Sequence, residues 1–447
     1  MNILICNNRY FPSTGPERYL FAITGLLEKH GHAVVPLAAN YSQTVDTPYR
    51  RYFVPPPVDA ESVFFQQYKD RLTLRKQAGL VARATYYPAA REAAHRAIVE
   101  QQIDLVYLLS MVNVLSPSII DAAYAHGIPV VMRLSDFNLL CPAYVFMRDG
   151  KVCQDCLGGY HHALRHRCLQ GSAMVTGARV VAMMAHNALG IYKKVDAFIA
   201  PSRFMVSQME QYFKPARGRI VHIPSFVDQA LLDARPGQAS AGDHQISNGV
   251  GKRPYILQFG RVSSDKGVAI TLRAYAGLER DVDLVIAGES SNDYRLRMEE
   301  LALSLGETGV RFTGFVQGEA LSSLIAGALC VVAPSTCHDN APMSVYESLA
   351  YGKAVIGSDL GGISEQLEHG CGLLIPPGDA EALRHSLRQV IDDPLLRASL
   401  ERAGQQRALN EYAPERHYAR LLEVFQNVCA GERRLGTHAR DRLITHK

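Results

Sequence analysis

The stretch Tyr255-Ile256-Leu257-Gln258-Phe259-Gly260-Arg261-Val262-Ser263-Ser264-Asp265-Lys266-Gly267-Val268 decides the fold. A five-residue apolar strand runs into a glycine, then a short polar loop, then a helix that begins near Val268. This is a βα unit, and the same alternation of short apolar runs with helical stretches recurs along the chain. In the first half the runs fall at 2–6, 33–37, 104–109, 129–134 and 197–200. In the second they fall at 255–259, 282–287, 310–312, 329–333, 354–357 and 372–375. The pattern predicts two Rossmann-like doubly wound α/β domains, 1–225 and 254–410, facing each other across a cleft and joined by a linker at 226–253. An amphipathic helix at 411–428 is expected to pack back on the first domain, and a basic tail at 433–447 ends the chain. Ligands of such sheets bind beyond the carboxyl ends of the strands.

Composition sets the outer bounds. The 447 residues are 47% apolar and 20% charged, which excludes disordered, collagen-like and coiled-coil chains. The formal charge is 47 − 43 = +4, and the segment from Arg433 to Lys447 alone carries +4, so the rest of the chain balances. A nucleic-acid partner would need a basic face on the body, and none is expected. The N-terminus reads as a buried strand and not as a secretory signal. The most apolar stretch, Ser172 to Tyr192, contains Arg179 and His186 and reads as a buried helix, not a membrane span. Nine cysteines, an odd number with four clustered, fit a reducing cytoplasm better than a disulfide framework.

The chemistry-bearing residues lie in two loops. Gly260 lets backbone approach an anion, while Arg261 and Lys266 put two cations on one strand-to-helix loop beside a helix N-terminus. Arg grips a phosphate with a fork and Lys acts as a point charge, a combination suited to the departure of a diphosphate. A solvated turn with two surface cations is the plainer reading. The second loop follows the run at 329–333 and spans Pro334 to Gly352. It places Asp339 at a loop tip and Glu347 in the first turns of a helix, with the N–H groups of Ser344 and Val345 at the helix start. Carboxylates of this kind accept vicinal sugar hydroxyls.

With those residues in view, the chain resembles the retaining family 4 glycosyltransferases of GT-B fold. The resemblance rests on Gly260-Arg261, Lys266-Gly267, Pro334-Ser335, the Asp339 to Glu347 spacing, the run from Ala350 to Ile356, and Gly361-Gly362-Ile363-Ser364-Glu365. The N-terminal half agrees through Ser13-Thr14-Gly15-Pro16-Glu17-Arg18 at a helix start and Lys29 to Val34 before a strand. It implies that Arg261 and Lys266 hold the donor diphosphate, that Glu347 binds the nucleotide ribose, and that Asp339 contacts the transferred sugar. Asn340, Ala341 and Met343 would offer N–H groups to that sugar; Pro342 has none. Gly15 would approach the diphosphate, and Phe315 and Val316 would lie along the base. Asp339 stands where the family usually has Glu, Pro16 where it often has a second Gly, and Ser135 where it frequently has His. Asp136 remains as an acceptor-side acid, or as a turn cap.

What the resemblance implies as a whole is transfer of a hexose from a UDP- or GDP-sugar to a glycan or lipid-linked sugar, in cell-surface polysaccharide assembly, with no cofactor needed for catalysis. Two alternatives share the donor site: an epimerase or phosphorylase of related fold, and a catalytically idle sugar-nucleotide-binding protein. Cys141, Cys153, Cys156 and Cys168, in a loop-rich insertion at 141–168, have spacing suited to a structural zinc; unpaired thiols or an iron–sulfur cluster are the other readings. The stretch 68–96, with Lys69, Arg71, Arg75, Lys76, Arg83, Arg91 and Arg96, reads either as a solvated helical face or as a contact to the inner membrane face. The expected location is therefore the cytoplasm, with a peripheral membrane contact as the sharper variant.

Overall fold

The structure is a computed structural model and describes residues 1–13, 15–61, 73–112, 114–233 and 253–431. It divides into two units. Of the described residues, the first holds Met1–Tyr144, Gln154–Ile223 and 418–431; the second holds Val145–Cys153 and Pro224–His417.

The strands run in chain order β1 (Asn2–Asn7), β2 (Ala33–Leu37), β3 (Leu105–Ser110), β4 (Val130–Arg133), β5 (Met147–Arg148), β6 (Lys151–Val152), β7 (Ala197–Ala200) and β8 (Ile220–His222). β5 and β6 form a small antiparallel hairpin, and the other six pair in parallel in the order β2-β1-β3-β4-β7-β8. The expected runs of the first half all become strands. β8 was not expected, because three half-buried residues carry no readable period.

The second unit continues with β9 (Tyr255–Phe259), β10 (Asp283–Ala287), β11 (Val310–Gly314), β12 (Cys330–Ala333), β13 (Val355–Ser358) and β14 (Leu373–Ile375). They pair in parallel as β11-β10-β9-β12-β13-β14, so the order reverses between β9 and β12. Both faces of this sheet are covered, which is why its strands read as unbroken apolar runs. Tyr255, Leu257 and Phe259 enter one core with Val331 and Val345, while Ile256 enters the opposite core with Val332 and Leu383. Two doubly wound α/β units are thus present, as the alternation predicted.

Packing reaches into the segment read as linker. Phe226 and Val227 are buried in the second unit, where the Val227 N–H donates to Tyr412 O at 3.0 Å. A short helix follows at Gln229–Asp233; the remainder of that segment, 234–252, lies outside the described residues. The basic tail at 433–447 and residues 68–72 of the cationic stretch also lie outside them. The late helix spans Pro414–Cys429. Within the second unit His417 Nδ1 bonds Pro224 O at 2.7 Å, and within the first Tyr418 stacks on His30 at 3.8 Å.

Two sequence readings are corrected. Arg83 is not a solvated cation: it is buried and donates to the carbonyls of Val114 and Pro55, each at 2.7 Å, with its guanidinium over Tyr87. The helix Ala173–Ala188 is not buried all round, since Met174, Val181 and Met184 stand exposed.

Candidate functional site

In the second unit the reversal of strand order brings two loops side by side at the carboxyl edge, the place where doubly wound sheets bind ligands. After β9, Gly260 takes φ +122°, a conformation open to glycine. After β12, the loop from Pro334 to Pro342 leads into the helix Met343–Ala350. The two loops nest backbone to backbone. A Cβ on Gly267 would come 1.9 Å from Pro334 O, and the Thr336 N–H donates to Asp265 O at 2.9 Å. Buried Gln258 ties the first loop to its strand by donating Nε2 to Lys266 O at 2.8 Å.

Four charges meet there. The Arg261 Nη2 donates to Asp265 Oδ2 at 2.7 Å, and the same oxygen lies 4.0 Å from Lys266 Nζ. Ser263 Oγ donates to the other Asp265 oxygen at 2.6 Å. Lys266 Nζ pairs with Asp339 Oδ1, while Ser335 Oγ donates to Asp339 Oδ2 at 2.5 Å. Burial alone would raise the Asp265 carboxyl, but Arg261, Lys266 and Ser263 outweigh it and hold it below its ordinary range. Burial would likewise lower the Lys266 ammonium; Asp339, Cys337 and Asp265 outweigh that and raise it, so it stays charged at neutral pH. Arg261 remains more than half exposed and Lys266 about a quarter exposed, at 56% and 23% of their side chains. Both can therefore be reached by an anion.

Asp265 is the residue that sequence reading missed. A lone acid among serines looks like a turn cap, and only the nested backbone shows it bridging both cations and touching Cys337 Sγ at 3.9 Å. Next in the second loop, burial pushes the His338 imidazole down to about 4. The Cys337 thiol is pushed up to about 12, chiefly by burial and then by Asp339.

The glycine pair at 361–362 has a steric reason. A Cβ on Gly362 would meet Asn340 O at 1.9 Å, and one on Gly361, at φ +61°, would meet Asp339 O at 2.6 Å. The Gly362 N–H donates to Asp339 O at 2.7 Å, and Gln366 Nε2 donates to Pro342 O at 3.2 Å. The helix Gly362–Leu367 thereby braces the loop of Asn340 and Ala341. At the helix start, Met343 and Ser344 point N–H groups that have no intrahelical acceptor. The Val345 N–H, expected to be offered alongside that of Ser344, is instead used within the turn on Pro342 O at 3.2 Å. Glu347 is buried one turn into this helix. Phe315 is exposed just past β11, and Val316 packs on the core beneath.

The remaining expected residues belong to the first unit. Gly15 opens the helix Gly15–Lys29, and Pro16 sits in the first turn, where a missing N–H is tolerated. Glu17, not singled out from sequence, is buried and accepts from Asn7 Nδ2 at 3.3 Å and Ser13 Oγ at 3.0 Å, pinning the loop after β1. Ser135 donates to Leu109 O at 3.0 Å. Asp136 accepts from the Asn138 backbone at 2.8 Å and from its side-chain amide, a local turn; burial raises its carboxyl, partly offset by Asn138 and Arg179.

Of the four clustered cysteines, Cys141 and Cys156 are buried, and Cys168 packs beside Cys156 and Ala163. Among the described residues no three His, Cys, Asp or Glu side chains form a group that could hold a metal ion.

Comparison with known proteins agrees with this architecture. Residues 241–407 match the family described as "Glycosyl transferases group 1". Alpha-D-kanosaminyltransferase of Streptomyces kanamyceticus is 30% identical over 157 residues, covering 33% of this chain and 39% of that protein. Phosphatidyl-myo-inositol mannosyltransferase of Mycolicibacterium smegmatis is 27% identical over 215 residues, covering 46% and 50%. The chain thus matches half or less of the length of these relatives. Among solved structures, Anabaena HepE in complex with UDP-glucose superposes with a TM-score of 0.66 at 20% identity, over 96% of this chain and all (100%) of that one. The shared fold is GT-B, and residues 241–407 carry the likeness to the group 1 glycosyl transferases.

Proposed function

We propose that this protein transfers a hexose from a nucleotide-sugar, a UDP- or GDP-sugar, to a hydroxyl of a glycan or lipid-linked sugar, with retention of the anomeric configuration. The observation that carries this reading is the pairing of Arg261 and Lys266 through Asp265 at the reversal of strand order. In this reading the two cations hold the diphosphate of the donor. They are fixed before reaction by Asp265 and Asp339, so they neutralise the leaving group with little reorganisation. Transfer breaks the bond between the anomeric carbon and the phosphate oxygen. The same carbon bonds the acceptor oxygen, and the acceptor proton leaves with a phosphate oxygen of the departing nucleoside diphosphate.

Asp339 faces the sugar hydroxyls, with Gly260 and the backbone of Asn340, Ala341 and Met343 around them. Glu347 takes the ribose, and Phe315 with Val316 flank the base. Gly15 and Asp136 serve the first unit's share of the reaction. UDP-glucose bound to HepE and the mannosyl transfer named for the Mycolicibacterium relative support a donor of this class. A role in cell-surface polysaccharide assembly is the matching physiological setting.

The test is a thermal-shift screen of UDP- and GDP-sugars, followed by turnover with the donor that binds. A donor that raises the melting temperature, and is consumed in an acceptor-dependent way, supports the reading. Stabilisation without turnover under any acceptor would favour an idle binder, and no stabilisation by any nucleotide would overturn both.

A further inference from the structure

We propose that the exposed face of the helix Ala173–Ala188, with the cations at its two ends, seats this protein on an anionic lipid surface. The inner face of that helix already has its partners: Thr176, Arg179, Val180, Ala182, Met183 and His186 are buried. A helix with one face so covered ordinarily turns polar residues outward. Here the outer face carries Met174, Val181 and Met184, with Leu189 at the helix end and Leu164 alongside, and these five are 40–63% exposed. They form a single ridge. The spacing 174, 181, 184 keeps them on one side of the helix, and Leu164 Cδ2 lies 3.7 Å from where a Cβ on Gly177 would stand.

The charged residues of the chain segment that carries the ridge are of one sign. No Asp or Glu occurs between Asp155 and Asp196, while Arg165 and Arg167 stand exposed before the helix and Lys193 after it. The helix Leu74–Thr85 packs along Ala173–Ala188; it too contains no acid, and its Lys76 is exposed. An apolar ridge rimmed by cations matches the layering of a membrane surface, acyl chains beneath anionic headgroups. A second copy of the chain fits poorly, because a two-fold contact would bring the same cations against each other. Among the described residues no helix is long and apolar enough to cross a membrane, so the contact lies in the plane of the surface.

Flotation of the full chain with phosphatidylcholine vesicles, with and without about 30 mol% phosphatidylglycerol, tests this. Strong flotation is expected only with the anionic lipid and is expected to weaken as salt rises. The double substitution Val181→Asp with Met184→Asp should lower the bound fraction about tenfold or more. Its melting temperature should stay near that of the parent, because both side chains already face solvent. Leu189→Asp alone should act in the same direction, which keeps the test open if the double variant folds poorly. Three results would overturn the proposal: no flotation on anionic vesicles, undiminished flotation of the variants, or self-association in sedimentation velocity that the same substitutions abolish.

Discussion

Lys266 and Asp339, 73 residues apart in sequence, close an ion pair that ties the loop after β9 to the loop after β12. Their side chains are only 23% and 14% exposed, so removing one partner leaves a partly desolvated charge behind. Asp339→Asn should lower stability by about 1–2 kcal/mol, between the values for exposed and for buried pairs. The pair raises the Lys266 ammonium, so its contribution is complete below the ordinary lysine value of 10.5 and is lost only as pH rises through the raised folded value. The stability gap between parent and variant should therefore be constant from neutral pH to about pH 9 and close only in strong alkali. Urea titrations at a series of pH values check this; a gap that closes near neutrality contradicts it.

Arg261→Ala and Lys266→Ala should each reduce kcat by about 10²–10³-fold, the usual loss when one preset stabiliser of developing charge is removed. Steady-state kinetics with the identified donor decides between roles. If kcat holds and only KM rises, the two cations serve ground-state binding alone.

Glu347→Gln keeps volume and removes charge from a buried position on the helix Met343–Ala350. With Glu347 on the ribose, the nucleoside diphosphate should bind about 10- to 100-fold more weakly, the range for a lost charged hydrogen bond. Calorimetric titration of the nucleoside diphosphate into both proteins measures it. Unchanged affinity would remove Glu347 from the binding site.

Gly362→Ala places a methyl 1.9 Å from Asn340 O, and Gly267→Ala places one 1.9 Å from Pro334 O at φ +70°. Neither obstacle is a flexible side chain, so the loops themselves must move. Each substitution should cost about 1–3 kcal/mol and reduce turnover more than Gly127→Ala, a control at φ +67° whose added methyl would meet nothing within 4 Å. Melting temperatures and single-turnover rates report the two effects separately.

His338 is held neutral by burial, its imidazole lowered to about 4 from 6.5. Unfolded chain takes up a proton below pH 6.5 that folded chain refuses, so this group's contribution is present above that value and is lost as pH falls toward 4. The parent should therefore lose melting temperature relative to His338→Gln between pH 7 and pH 4.5. Parallel pH profiles would show that residue 338 is not the group responsible.

The alternation of apolar runs made the two sheets legible, because strands buried on both faces leave unbroken apolar segments that need no partner to be recognised. The cations at 261 and 266 and the acid at 339 were legible as chemistry; their mutual geometry was not. Asp265 gives no local signal, because its role depends on Thr336 and Cys337 being folded against it. The exposed face of the helix Ala173–Ala188 is not legible, because hydropathy reports what a face is made of and not what covers it. The burial of Arg83 is hidden from local sequence for the converse reason: its carbonyl partners, Val114 and Pro55, come from distant loops.

The hairpin β5–β6 belongs to the second unit although the residues on either side of it belong to the first. There Phe146 is fully buried with its ring edge-on to His338, and Thr336 Oγ1 lies 3.7 Å from Met147 Sδ. A fragment beginning at Pro224 would thus leave part of its own packing behind, and a chimera spliced at that point would inherit a foreign hairpin against its His338 loop. Domain shuffling in this scaffold has to exchange the Val145–Cys153 segment together with the C-terminal half, or accept a mismatched seam.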